Sequence, residues 1–108
     1  DVFGAAACIS THWAGIFTVD NNPIPQAFFD YMRTALPDPA THRMYFDHGT
    51  ATLDALYPSL QVRADTVMRQ RGYTDARWRT QVFPGTEHSE QAWAARLDIP
   101  LQFLFRPD

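Results

Sequence analysis

Hydrophobic and polar positions along this chain fall into three strand-like runs, each followed by a helical pattern. Residues 2–9 are a continuous run of small apolar residues ending at Ser10-Thr11-His12-Trp13. A run without alternation fits a parallel strand covered on both faces, with a buried helix start as the competing reading. A loop over residues 15–25 carries Asp20-Asn21-Asn22-Pro23, and Pro25 suits the first turn of a helix through Leu36. Phe28, Phe29, Met32 and Leu36 give that helix one apolar stripe. Pro37-Asp38-Pro39 ends it.

A second strand is predicted over residues 43–47, with a polar Gly49-containing loop past its carboxyl end. The next helix has Ser59 as its expected N-cap and Gly72 at its C′ position. Residues 78–83 alternate, with Trp78, Thr80 and Val82 on one face and Arg79, Gln81 and Phe83 on the other. A Pro84-Gly85 turn leads to a helix over about residues 89–97, which Pro100 interrupts before a last apolar turn or two. The expected fold class is therefore α/β, with three parallel strands alternating with three helices. Such a half-sheet has raw edges, and the chain opens in strand-like residues without a methionine. It is expected to be part of something longer.

Composition narrows the chemistry. A 45% hydrophobic, 14% aromatic chain of 108 residues can pack a core. The net charge of -3, with no run of like charges, argues against nucleic acid or an anionic membrane as partner. No stretch approaches the roughly 20 apolar residues of a membrane span. All nine basic residues are arginine, so lysine chemistries such as a Schiff base or P-loop are excluded from these residues. The single Cys8 rules out an internal disulfide and a cysteine-rich zinc site.

His88 is the leading candidate for chemistry, because it follows a strand and a glycine turn at the start of a helix. Its intrinsic pKa suits a general base. Such a base needs a carboxylate partner, and the preceding loop offers Asp54, with Asp47 at the strand end. Asp54 is favoured because it lies further out, where it can cross to the next strand's end; Asp47 stays open as the acid or as a brace for the Gly49 turn. The nucleophile is the difficulty. No Gly-x-Ser-x-Gly elbow occurs. Ser89 reads as a helix cap, Ser59 precedes a helix, and nothing in the sequence sharpens the turn at Ser10. Cys8 reads as an inert buried thiol. Metal ligation by His42, Asp47 and His48, or by Glu87, His88 and Glu90, matches no established spacing. No metal and no cofactor are expected.

Residues 4–13, Tyr45-Phe46-Asp47-His48-Gly49-Thr50 with Leu53-Asp54-Ala55, and Gly85-Thr86-Glu87-His88-Ser89-Glu90 with Trp93 and Arg96-Leu97 resemble the esterase family of α/β-hydrolases that includes esterase D-like and enterochelin-esterase-like enzymes. The similarity covers nearly the whole chain but only the C-terminal portion of that family's domain. It implies a doubly wound, mostly parallel sheet and a serine carboxylesterase acting through a Ser-Asp-His triad. His88 matches the family's histidine and Asp54 its acid, with Asp47 possible. Trp13 then either lines an acyl or alcohol pocket or covers the core. The partners implied are a small-molecule ester and an N-terminal segment carrying the serine, so the isolated 108 residues are expected to be inactive. A non-catalytic binding or assembly domain of the same origin, or a metal-dependent hydrolase, are the alternative classes.

Overall fold

A computed structural model describes residues 2–107. Three parallel strands, β1 (Ala5–Cys8), β2 (Arg43–His48) and β3 (Trp78–Val82), form one sheet in sequential order. Helix α1 (Ile24–Ala35) joins β1 to β2, and α2 (Pro58–Gln70) joins β2 to β3. Both crossovers step across the sheet in the same direction, which brings α1 and α2 to the same face. Register follows the pleat: Met44 lies beside Ala6 and Trp78, and Phe46 beside Cys8 and Thr80. That row meets Phe29, Met32, Leu60, Ala64, Val67 and Met68 from the two helices, forming the main core.

The opposite face of β2 presents Arg43, Tyr45 and Asp47 to two consecutive helices, α3 (Glu90–Arg96) and α4 (Asp98–Phe105). Four helices therefore stand where three were expected. Pro100 does not interrupt a helix; it sits in the first turn of α4, where no intrahelical N–H is lost. Phe103 packs against Tyr45, with ring centroids 6.2 Å apart. Buried Arg43 donates to the carbonyls of Leu104 and Arg106 at 3.1 and 2.6 Å, tying the C-terminal end of α4 to the start of β2.

Other expectations change in detail. Among the described residues, the first apolar run yields only four residues of strand, and β1 pairs with β2 alone, at the sheet's edge. Val2 and Phe3 are exposed rather than buried in a covered strand. Phe28 leaves the predicted stripe for the rim of the core, packing edge-on to Trp13. Helix α2 starts at Pro58 after Tyr57, with no side-chain cap, so Ser59 is an exposed first-turn residue and not the N-cap. Gly72 does follow α2, at φ +87°.

Candidate active site

The carboxyl ends of the three strands feed loops that converge above the sheet, as in other parallel α/β proteins. The loop after β2 and the loop after β3 are laced together by backbone. Thr50 and Ala51 N–H groups donate to the Thr86 carbonyl at 3.0 and 2.9 Å. Gly85 N–H donates to Thr50 Oγ1 at 2.7 Å, and His88 N–H donates to Thr52 Oγ1 at 2.8 Å. A single 3₁₀ turn, Thr52–Leu56, then swings Asp54 inward until it is wholly buried.

Asp54 and His88 meet at the centre of this lacing. His88 Nδ1 lies 2.7 Å from Asp54 Oδ1. A carboxylate can only accept, so Nδ1 carries the proton and Nε2 is left as the basic nitrogen, on a side chain 26% exposed. Asp54 Oδ2 accepts two further bonds, from Gly49 N–H at 2.6 Å and from Ser10 Oγ at 2.7 Å. Three donors compensate this buried charge. The imidazole also packs against two aromatic rings: Trp93 stands perpendicular to it at 5.0 Å, and Tyr57 lies at 70° to it at 6.1 Å. Helix α3 supplies Trp93 because Ser89 caps it, accepting from Ala92 N–H at 3.2 Å.

Asp47 does different work. It forms a buried pair with Arg96, whose Nη2 and Nε donate to its two oxygens at 2.9 and 3.2 Å. Tyr45 O–H and Ser10 N–H also donate to it, each at 2.9 Å. This pair clamps α3 against the strand ends. Of the two candidate acids, Asp54 is the one that reaches His88.

Ser10 sits between the two carboxylates, buried, with φ +47°, a backbone conformation rare outside glycine and asparagine. The turn there is sharp after all. Its hydroxyl accepts from Trp93 Nε1 at 2.9 Å and Arg96 Nη2 at 2.8 Å while donating to Asp54. A hydroxyl has one proton and two lone pairs, so all of its bonding capacity is occupied.

Trp13 belongs to the core, not to a substrate pocket. It is 5% exposed, packed among Phe28, Phe29 and Phe46, and its Nε1–H donates to buried Gln61 at 2.9 Å. The pocket-lining expectation for Trp13 gives way to the core-covering one. Cys8 is partly buried, and desolvation, then the Asp47 carboxylate, raises its thiol above the ordinary value. Tyr57 is held above its ordinary pKa by burial, then by Asp54, and shares a 2.7 Å hydrogen bond with His12 Nδ1. Among the described residues, no three His, Cys, Asp or Glu side chains converge as metal ligands, and no helix is long and apolar enough to cross a membrane.

Sequence reasoning missed the roles of Ser10, Tyr57 and Arg96. Only Arg96 had left a signal, because Trp93 and Arg96 are three residues apart on a helix that begins beside His88. No protein-family model, no curated protein and no solved structure matches the chain.

Proposed function

We propose that this chain supplies the acid and the general base of a serine carboxylesterase, as the C-terminal part of an α/β-hydrolase sheet. The observation that carries the reading is the 2.7 Å bond from His88 Nδ1–H to buried Asp54, which frees Nε2 for a proton. In the reaction, Nε2 takes the proton of a serine hydroxyl as that oxygen attacks the ester carbonyl. Asp54 stays ionised and stabilises the imidazolium, which then protonates the leaving alcohol. Water repeats the sequence on the acyl-enzyme.

The serine comes from a segment other than these residues. Ser10 is fully hydrogen-bonded to other partners, Ser89 caps α3, and Ser59 lies exposed on α2. The unpaired side of β1 offers a place for a preceding parallel strand, next to the loops that hold the acid and base.

The test is hydrolysis of p-nitrophenyl acetate by a polypeptide joining this chain to its upstream sequence. The isolated chain is expected to resist labelling by a fluorophosphonate probe, and the joined polypeptide to be labelled on a serine outside residues 1–108. Labelling of Ser10 or Ser89, or no turnover by the joined form, overturns the reading.

A further inference from the structure

We infer that Ser10 is a positioning residue for the acid–base pair: its hydroxyl locks the Asp54 carboxylate in the orientation that keeps the His88 proton on Nδ1. The inference rests on the esterase reading for its catalytic meaning, but its geometry stands separately. Both neighbours that bond the Ser10 oxygen, the Trp93 indole and the Arg96 guanidinium, are donors with no acceptor to offer. They occupy the oxygen's two lone pairs. The Ser10 proton then has one destination, Asp54 Oδ2 at 2.7 Å. The hydroxyl is polarised in one direction, from a buried cation toward a buried carboxylate.

The consequence reaches His88. With Oδ2 held by Ser10 and by Gly49 N–H, the carboxylate cannot turn, and Oδ1 is presented to Nδ1. Trp93 joins the two ends, since one ring donates to Ser10 and packs edge-on against His88. The left-handed backbone at Ser10 is a strained feature of this arrangement, shared with Thr52 beside His88, and strain of that kind collects at sites where geometry matters more than stability.

Histidine tautomers can be read directly by ¹⁵N chemical shifts in the 108-residue chain, with no substrate and no upstream segment. In the native chain His88 is expected as the Nδ1–H form. Ser10→Gly accepts the positive φ without strain and removes only the hydroxymethyl group. It is expected to melt cooperatively while His88 moves to a mixture with substantial Nε2–H. Ser10→Cys keeps the side chain with a weaker donor and is expected to fall between the two. A folded Ser10→Gly or Ser10→Cys chain whose His88 keeps the native Nδ1–H population overturns the inference. In the ester-hydrolysing polypeptide, Ser10→Gly should lower kcat about 10–100-fold, the range known for hydrogen bonds that orient metal-ligating side chains and taken over here by analogy, with KM unchanged. If the tautomer responds but the joined polypeptide cleaves no ester, Ser10 keeps its positioning role and the esterase reading alone fails.

Discussion

Gly49 and Thr86 approach so closely that a methyl group on Gly49 would lie 2.1 Å from the Thr86 carbonyl oxygen. That carbonyl already accepts from Thr50 and Ala51, so it cannot move aside without opening the lacing that sets Asp54 against His88. Gly49→Ala is therefore expected to cost about 1–3 kcal/mol, the range for forced overpacking. Urea unfolding measures the loss, and the His88 ring resonances should report a loosened site before the chain unfolds. A variant with native stability and native His88 signals would mean that the loops are not held as described.

The two buried aspartates should separate by what their variants damage. His88→Ala and Asp54→Asn are expected to lower kcat by about 10²–10⁴-fold in the ester-hydrolysing polypeptide. Asp47→Asn strips Arg96 of its buried counter-charge and is expected to cost about 3–5 kcal/mol of stability. Melting curves and turnover measured side by side distinguish them. If Asp47→Asn abolished turnover in a chain that melts normally, while Asp54→Asn left it intact, the acid assignment would reverse.

Local patterns made much of this fold legible. Alternation in residues 78–83 placed Trp78 and Thr80 on the α2 face, and Pro25 and Pro37 marked the two ends of α1. The pairing of Asp54 with His88 could be anticipated because each lies in the loop following one of two neighbouring strands. Ser10 could not. Its hydroxyl is defined by partners 44, 83 and 86 residues away along the chain, contacts that leave no local period. Trp13 was ambiguous for a related reason: a loop tryptophan can face outward or inward, and only Gln61 on α2 satisfies its indole N–H inside the core. Pro100 misled because a proline breaks a helix interior but is accepted in a first turn, and nothing local marks where α4 begins.

That burial carries a prediction for Trp13. Trp13→Phe keeps an aromatic ring among Phe29 and Phe46 but leaves the buried Gln61 carbonyl without a donor. The expected cost is about 1–3 kcal/mol, with no change in KM for any ester. A marked rise in KM without loss of stability would return Trp13 to the substrate pocket.

Alkaline pH should unfold the chain through its two wholly buried tyrosines. Burial first, and then the carboxylate beside each, Asp47 at Tyr45 and Asp54 at Tyr57, hold both phenols above their ordinary value of 10.0. Below that value both folded and unfolded chains keep the phenols neutral, and the phenols leave stability untouched, the raised Cys8 thiol accounting for a smaller loss that begins above its ordinary value of 9.0. Above it the unfolded chain ionises while the folded one stays protonated, so stability is lost as pH rises. Each tyrosine can contribute about 1.4 kcal/mol per pH unit, so the pair should cost about 2–3 kcal/mol by about pH 11. Urea midpoints at about pH 8, 10 and 11 check this; Tyr57→Phe should remove one phenol's share of the loss, to which Tyr73 and Cys8, also raised by burial, add in both chains, while lowering stability at every pH through the lost His12 bond. Midpoints that stay flat to about pH 11 would mean that the phenols ionise in the folded chain, and the closed packing around Tyr45 and Tyr57 would be wrong.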